Sequence, residues 1–500
     1  MKIVSIASEV APFSKTGGLA DVARSLPKAI KRLGHEIIVI TPLYGKIIAK
    51  EEYDLKLIFE GVGVKIDKEE FKINFWKGFL MEDLPIYFVE EPNFFSKREK
   101  IYGGSRENAR FLVFDIAALK LLTLLKFKAD IIHCHDWHTG LIPYYLKADF
   151  KLSSSLKKAK TVYTIHNLAF QFGQNWWEVP AEKKDYGKSK IPRFASPDLE
   201  YVNFAKRAIL NADVINTVSE QYREEIMTKN FGQDLHRILA NRENRLFGII
   251  NGIDYNAYNP VKDGTLVKNY NTKTIYRKKV NKEFLQKKLG LAVNREIPLV
   301  CVTSRVTFQK GFQLIVKILD QLSRLDVQLV VMGDGEKEYI SQIKSFQKKY
   351  PKKFAWLPFD QKLENLVYAG SDMFVLPSFH EPCGINQLIA MRYGCVPIVR
   401  KVGGLYDTVE NYDIRKNQGT GFSFNNFDTY SLYGALLIAL EIYKNRPMWR
   451  SIAGRAMKQS SSWEIPAKKY ITLYRKALSL KITEQAFKPV AAKPRQGLLG

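Results

Sequence analysis

The chain has 500 residues, more than one ordinary hydrophobic core can organise, so its length predicts two or three domains. Hydrophobic residues make up 46% of the sequence, which excludes a disordered protein. The 77 lysines and arginines outnumber the 51 acidic residues and give a net charge of +26. A charge of this size raises nucleic acid, a membrane surface or an anionic substrate as possible partners.

The basic residues are dispersed, which argues against nucleic-acid binding. They occur as pairs such as Lys157-Lys158 and Lys352-Lys353, and no zinc-finger or RNP-like motif accompanies them. No uncharged apolar run approaches the ~20 residues that span a bilayer. Glu9 interrupts the N-terminal apolar run before the core of a signal peptide could form. The cysteines form no CxxC pair, which is typical of a reducing compartment, so we expect a cytoplasmic protein. Because the basic residues are dispersed and no run is long enough to span a bilayer, we expect it to bind neither nucleic acid nor a membrane.

Short apolar strands alternate with longer helical patterns. In the first half the predicted elements are the strand Lys2–Ser8, the helix Gly18–Leu33, and the strands Glu36–Thr41, Asp130–His133, Lys160–Ile165 and Asp213–Val218. In the second half they are the strands Ile297–Ser304, Gln328–Met332, Phe354–Leu357, Asp372–Leu376 and Val396–Val399, and the last helix Pro466–Ser479. This alternation predicts βαβ units and parallel sheets. We therefore expect an α/β protein with two doubly wound, Rossmann-like domains that face a central cleft.

The turn-rich segment Asn251–Lys273 separates the two series. We predict an N-terminal domain at residues 1–245 and a C-terminal domain at 246–463. A terminal helix at 464–482 is expected to pack back on the N-terminal domain, and the tail at 483–500 to be disordered. A cleft between two domains is a preferred place for a ligand.

Three glycine-containing turns follow predicted strands, where open α/β sheets bind their ligands. Lys15-Thr16-Gly17-Gly18 opens the first helix with a cation and exposed amides, although a structural turn with Asp21 stabilising the helix start explains it equally well. Ser304–Gly311 contributes Arg305 and Lys310, which suit either a phosphate or an ion-paired surface loop. The third turn is Val402-Gly403-Gly404-Leu405. Three such turns favour an anion site.

The segment His380–Gln387 places an acid, a thiol and a glycine where a strand passes into a helix. A glycine there lets a ligand approach the free amides of the helix. Two further segments end predicted strands with histidines, His133–His138 and Tyr163–Asn167. The first lacks the spacing of a zinc site, so hydrogen-bonded histidines are favoured over a metal centre. His166 in the second is either a packing residue or a sugar contact.

These motifs together resemble the bacterial glycogen synthases and plant starch synthases. The segments that carry the resemblance occur in order along nearly the whole chain: Lys15–Asp21, Asn108-Ala109-Arg110-Phe111, His133–Thr139, Tyr163–Gln171, Asn251-Gly252-Ile253-Asp254, Ser304–Gly311, Glu381–Gln387 and Gly403-Gly404-Leu405. The resemblance implies a GT-B architecture, with acceptor-side residues in the N-terminal domain and the nucleotide sugar on the C-terminal domain. It implies transfer of glucose from ADP-glucose or UDP-glucose to the non-reducing end of an α-1,4-glucan such as glycogen, with retention of configuration.

The resemblance also implies roles for individual residues. Arg305 and Lys310 would neutralise the leaving diphosphate, Glu381 would steady positive charge on the sugar, and His166 would offer its carbonyl and its ring to the sugar. The residues expected to bind the donor are Lys15, Thr16, Gly17, Gly18, Asp21, Asn251, Cys383, Gly384, Gly403 and Gly404. No metal or other cofactor is expected, because fixed cations face the diphosphate. The oligomeric state is left open.

Three positions depart from the family pattern. Val402 replaces a frequent threonine, Phe172 a frequent glycine, and Ile389 stands where related glycosyltransferases have a second glutamate. Two alternatives remain, an inactive glucan-binding homologue and an enzyme of the α-glucan phosphorylase type. The second would need a pyridoxal phosphate lysine and a longer chain.

Overall fold

The computed structural model describes residues 1–150 and 153–480, and in these ranges the strands form two sheets. The predicted tail at 483–500 lies outside the described residues. Strands of the larger sheet are β1 Lys2–Ile6, β2 Glu36–Pro42, β3 Lys56–Ile66, β4 Glu69–Met81, β5 Leu84–Glu90, β6 Ile131–His135, β7 Lys160–Ile165, β8 Val214–Thr217 and β9 Leu246–Gly248. Strands of the smaller sheet are β10 Leu299–Thr303, β11 Gln328–Met332, β12 Phe354–Leu357, β13 Met373–Leu376, β14 Val396–Arg400 and β15 Phe422–Phe424.

Helices follow most of the parallel strands. In the first half they are α1 Gly18–Arg32, α2 Glu107–Leu124, α3 Ile142–Lys147, α4 Phe204–Asn211, α5 Glu220–Ile226 and α6 His236–Ala240. In the second half they are α7 Lys278–Lys288, α8 Phe312–Lys317, α9 Leu319–Ser323, α10 Lys337–Lys349, α11 Gln361–Gly370, α12 Asn386–Arg392, α13 Gly403–Thr408, α14 Thr429–Lys444, α15 Arg446–Lys458 and α16 Glu464–Ser479.

Both sheets have the strand order of a doubly wound fold. The larger is β3-β4-β5-β2-β1-β6-β7-β8-β9 and the smaller is β12-β11-β10-β13-β14-β15. The order reverses beside β1 in one sheet and beside β10 in the other, and at such points a crevice opens at the carboxyl ends of the strands. The predicted class, α/β with two Rossmann-like domains, is confirmed. The topology also places the turns after β1, β6, β10 and β13 at these two crevices.

Helix α1 shows how sequence produces one of these βα units. Its apolar residues Leu19, Val22, Leu26 and Ile30 recur at helical spacing and are buried against the sheet. Asp21 in the first turn and Lys31-Arg32 in the last complement the helix dipole. The helix begins at Gly18, the last residue of the turn Lys15-Thr16-Gly17-Gly18. This segment, called the Lys15 turn below, therefore forms the N-terminus of α1.

An antiparallel edge, which the strand rhythm does not predict, extends the larger sheet. Strands β3 and β4 pair antiparallel, β4 pairs antiparallel with β5, and β5 pairs parallel with β2. Along β4 exposed residues such as Lys72 alternate with buried ones such as Ile73 and Phe75, as in a sheet with one solvated face.

The last helix, α16, lies on the larger sheet although it follows the smaller one in sequence. Tyr474 Oη is 2.8 Å from His133 Nδ1, and Asn216 Nδ2 donates to Tyr470 Oη at 3.0 Å. Tyr470 and Tyr474 are fully buried, so this helix is part of the core of the first half. Within the part of the chain that the structure describes, no helix has the length and apolar character needed to cross a membrane.

Candidate active site

The Lys15 turn is organised by a buried acid, Glu9. Thr16 donates to Glu9 Oε2 from its backbone N–H at 2.6 Å and from its hydroxyl at 2.7 Å. Lys15 Nζ lies 2.9 Å from the carboxylate of Asp21, and both side chains are partly exposed. The turn thus holds a cation at its rim, with an aspartate as its present partner.

Burial of Glu9 raises the pKa of its carboxyl from 4.5 to about 7, against the opposing effect of the Thr16 hydrogen bonds. At pH values between 4.5 and about 7, the Glu9 carboxyl keeps its proton in the folded protein but loses it in the unfolded chain. The contribution of Glu9 to stability therefore falls as the pH rises through 7. We expect Glu9→Gln, which is neutral at every pH, to gain stability relative to wild type between pH 5 and pH 8, by on the order of 2–3 kcal/mol. Calorimetric Tm values of both proteins at the two pH values measure this. The exposed Glu51→Gln is the control, and an identical pH dependence in wild type and Glu9→Gln would contradict the assignment.

On the second domain, the loop after β10 is joined to the loop after β13. Lys310 Nζ lies 2.6 Å from Glu381 Oε2, and Ser378 Oγ donates to the same oxygen at 2.8 Å. Phe379 N–H donates to the Gln309 carbonyl at 2.9 Å, so the two loops are also held by backbone. Glu381 is 5% exposed, which makes its ion pair with Lys310 well shielded from solvent.

Gly311 and Arg305 occupy opposite ends of the first of these loops. Gly311 has a φ of +80°, and a Cβ there would lie 2.1 Å from the Pro377 carbonyl oxygen, so only glycine permits this close packing. The Arg305 side chain is exposed, and its guanidinium has no ion-pair partner among residues 1–150 and 153–480. Arg305 is therefore a cation available to a ligand at the carboxyl end of β10.

Cys383 and Asn251 lie together beside Glu381. Burial raises the pKa of the Cys383 thiol to about 12, partly offset by hydrogen bonds from the backbone and side chain of Asn251. The thiol is therefore protonated and reacts slowly at neutral pH. Asn251 Oδ1 is buried without a hydrogen-bond partner within the described ranges, which leaves an acceptor for a ligand hydroxyl.

The Gly403-Gly404 turn packs against the loop that follows β13 and carries Glu381, called the Glu381 loop below. A Cβ on Gly403 would lie 2.0 Å from the Glu381 carbonyl oxygen, and one on Gly404 would lie 1.8 Å from that of Cys383. Gly404 N–H donates to the Glu381 carbonyl at 3.1 Å, and Gly403 N–H donates to the Glu225 carboxylate at 2.9 Å. The N–H groups of both glycines, which we predicted to bind the donor, therefore have protein acceptors here.

This packing predicts that Gly404→Ala destabilises the protein by about 3 kcal/mol, because the new methyl group meets backbone that cannot move aside. Gly434→Ala is the matched control. Gly434 lies inside helix α14 with nothing within 4 Å of its missing Cβ, so alanine there is expected to stabilise by about 0.5–1 kcal/mol. Tm values from calorimetry compare the two. Equal Tm changes would show that Gly404 is not packed as described.

Two histidines of β6 and the histidine that follows β7 are hydrogen-bonded to one another or to neighbouring hydroxyls. His166 Nε2 lies 2.9 Å from His135 Nδ1, and His135 Nε2 lies 3.2 Å from Ser5 Oγ. His133 contacts Thr164 Oγ1 at 2.7 Å in addition to Tyr474. Burial lowers the pKa of His166 to about 3, so its ring is neutral at physiological pH.

Asp136 completes this part of the site. Its carboxylate accepts the His166 backbone N–H at 2.7 Å and thereby holds the turn that carries His166. Its burial raises its pKa to about 7, and Glu9 contributes to the increase. The Lys15 turn and the His166 turn therefore influence one another electrostatically.

The two domains approach each other closely at the candidate site. A Cβ on Gly18 would lie 3.3 Å from Ile385 Cδ1, so the Lys15 turn lies beside the segment that follows Glu381. Burial raises the pKa of Glu364 in α11 to about 7, an increase that Lys15 opposes and Asp21 reinforces. The structure thus places the Lys15 turn beside the segment that follows Glu381, across the boundary between the two domains.

Sequence reasoning missed several residues that shape this cleft. In the sequence Glu9 stands out only as an interruption of an apolar run, although an acid that follows a strand is itself a signal of a site. Ser378 lies three residues before Glu381 and could have been included with it. Glu225 and Glu364 carry no local sequence signal, because only the packing of two domains brings them to the site.

Comparison with known proteins gives the family. Residues 2–241 match the starch synthase catalytic domain model, and residues 281–455 match the model of glycosyl transferases group 1. The chain is 40% identical over 491 residues to a glycogen synthase of Thermotoga petrophila, covering 96% of this chain and 99% of the relative. It is 40% identical over 486 residues to glycogen synthase 2 of Geobacter sulfurreducens, covering 95% and 99%.

Solved structures agree. The catalytic domain of starch synthase IV from Arabidopsis thaliana, bound to ADP and acarbose, superposes with a TM-score of 0.84 at 32% identity and covers 96% of this chain and 99% of that one. The sucrose-phosphate synthase of Thermosynechococcus elongatus, at 16% identity and a TM-score of 0.62 over 95% and 98% of the two chains, shares the fold. This chain belongs to the glycogen and starch synthase family of GT-B glycosyltransferases and is an enzyme that transfers glucose.

Proposed function

We propose that this enzyme transfers glucose from ADP-glucose to the non-reducing 4-hydroxyl of an α-1,4-glucan with retention of configuration. The observation that carries the proposal is the 2.6 Å contact between Lys310 and Glu381 at the carboxyl ends of neighbouring strands. It places a fixed cation and a fixed carboxylate side by side. Breaking a bond between a sugar and a diphosphate creates charges of these opposite signs next to each other.

The charges develop as the C1–O bond of the donor breaks. Its electron pair leaves on the diphosphate, where Lys310, Arg305 and the Lys15 turn would meet the negative charge. Glu381 would meet the positive charge that spreads over the sugar ring. The 4-hydroxyl of the acceptor forms the new bond from the same face, and its proton passes to an oxygen of the departing diphosphate.

Residues of both domains would hold the sugar. The neutral ring and backbone carbonyl of His166 would face the hexose, and Asp21 and Asn251 would line the cleft beside it. Since both Gly403 and Gly404 amides bond to protein acceptors, we assign these glycines to supporting the Glu381 loop. Thr16, whose N–H and hydroxyl both donate to Glu9, would hold the turn in place, and Gly17 and Gly18 would bring the N-terminal amides of α1 to the diphosphate.

We propose ADP-glucose over UDP-glucose, supported by the ADP bound in the Arabidopsis starch synthase. We also propose the domain division 1–245, 246–463 and 464–482. It is supported by the two sheets and by helix α16, which lies on the first of them.

Purified protein incubated with glycogen, a chelator and labelled ADP-glucose or UDP-glucose tests the function. We expect glycogen-dependent release of one ADP for each glucose incorporated, faster than the corresponding reaction with UDP-glucose. No incorporation from either donor would indicate an inactive glucan-binding homologue. Release of glucose 1-phosphate from glycogen and orthophosphate would indicate a phosphorylase.

A further inference from the structure

Helix α5 of the N-terminal domain contacts both halves of the candidate site. Its N-cap, Ser219, is fully buried and donates its hydroxyl to the Pro382 carbonyl at 2.6 Å, across the domain boundary. The same hydroxyl accepts the Tyr222 N–H at 3.0 Å. One side chain therefore starts the helix in one domain and holds the residue next to Glu381 in the other.

The far end of the same helix holds the second turn of the opposite domain. Glu225 Oε1 accepts the Gly403 N–H at 2.9 Å, and in return Asp407 of α13 accepts the Gln221 N–H at 3.0 Å. Helices α5 and α13 thus cap each other with carboxylates. Gly404 in turn donates to the Glu381 carbonyl, so the contact of Glu225 continues directly into the Glu381 loop.

Tyr222 joins this arrangement to the sugar side of the site. Its hydroxyl accepts the Leu168 N–H at 3.0 Å, two residues beyond His166. Its ring lies 5.1 Å from that of His380, the neighbour of Glu381. A single turn of helix therefore touches the backbone of the His166 segment and the backbone of the Glu381 loop.

We propose that α5 aligns the two halves of the active site and that Ser219 and Glu225 are positioning residues for Glu381. Neither side chain needs to touch substrate. Ser219 fixes the carbonyl of Pro382, and Glu225 fixes the amide of Gly403. These two contacts hold the Glu381 loop from both of its neighbouring segments. The inference rests on the proposed glucosyl transfer for its kinetic readout, and on the contacts alone for its structural one.

The kinetic test compares Glu225→Ala with Glu225→Gln, which keeps an oxygen that can accept the Gly403 N–H. We expect Glu225→Ala to lower kcat about tenfold to a hundredfold, because small misplacements of a reacting group have effects of this size. The KM for ADP-glucose should change little, and Glu225→Gln should restore most of kcat. Glu224→Ala, next to it but exposed, should behave as wild type.

Ser219→Ala and Ser219→Thr form a second pair, and they decide the matter if Glu225→Ala does not fold. The alanine variant should show the same loss in kcat, and the threonine variant, which keeps the hydroxyl, should recover it. Full kcat in both alanine variants would overturn the proposal. So would a Glu225→Gln variant as impaired as Glu225→Ala.

A structural readout separates this proposal from the proposed function. Cys383 is 6% exposed in the Glu381 loop, so its rate of alkylation, followed by peptide mass spectrometry, reports loosening of that loop. We expect faster alkylation of Cys383 in Glu225→Ala than in wild type or Glu224→Ala. An unchanged rate would overturn the positioning role, whereas absence of glucosyl transfer in wild type would overturn only the proposed reaction.

Discussion

Replacing Lys310 with alanine is expected to lower kcat at least about a hundredfold, since one preplaced group that meets developing charge contributes 10²–10³ in rate. The ammonium lies against Glu381 and is mostly shielded from solvent. Because it is shielded, its charge acts strongly on nearby groups. The variant loses the cation for the diphosphate and leaves Glu381 with the Ser378 hydroxyl as its partner. Steady-state kinetics with ADP-glucose and glycogen measure the loss.

Lys317→Ala is the matched control for this change. Lys317 ends the helix that follows Lys310, and its side chain is exposed, so its loss should leave kcat unaltered. Lys310→Arg should recover part of the activity, because the charge remains but the guanidinium is larger than an ammonium. Near-normal turnover by Lys310→Ala would contradict the role in leaving-group departure.

The second large effect is expected for Glu381→Gln. Glutamine has almost the same shape and can still accept from Ser378, so the loop should keep its fold. The negative charge beside the donor sugar is lost, and kcat is expected to fall about 10²–10³-fold with little change in the KM for ADP-glucose. Kinetics and calorimetry together distinguish this from unfolding.

The control for Glu381→Gln is Glu441→Gln, which removes a carboxylate that is exposed in an ion pair with Lys444. This variant should retain wild-type kinetics. If Glu381→Gln instead kept most of its kcat while its KM rose strongly, Glu381 would contribute to binding the donor rather than to the charge separation proposed here.

Much of the fold follows from sequence periodicity. The bounds of Lys160–Ile165, Gln328–Met332 and Phe354–Leu357 are the same in prediction and structure, because short apolar runs between turns define buried parallel strands. The antiparallel strands β3 and β4 escaped prediction. They lie at a sheet edge, are partly exposed and follow no helix, so the βα rhythm contains no trace of them.

The sequence predicts which residues belong to the candidate site but not which of them contact one another. Lys310 and Glu381 could be singled out because each follows an apolar strand, yet their contact spans 71 residues and depends on β10 and β13 being neighbours. The Glu225 contact with Gly403 spans 178 residues and two domains. Local patterns record which side chains end a strand, whereas partners across a cleft are set by the tertiary structure.

The role of the glycine pair at 403–404 could not be predicted for the same reason, because it depends on contacts with a distant segment. A glycine-rich turn after a strand is compatible with a phosphate site and with close packing of two backbones, and sequence does not distinguish them. The structure shows the close packing directly, since a Cβ on either glycine would clash with a carbonyl oxygen of the Glu381 loop. Glycine is needed at both positions because the backbone of the Glu381 loop packs directly against them.

A crystal structure of the enzyme with ADP tests the central claim most directly, that cations from both domains converge on one diphosphate. The account predicts the diphosphate within hydrogen-bonding distance of Arg305 and Lys310 on one side and of the Lys15–Gly18 turn on the other, with Glu381 beside the space for the sugar. A diphosphate bound away from these groups, or held by one domain with the cleft open and the Lys15 turn remote, would contradict it.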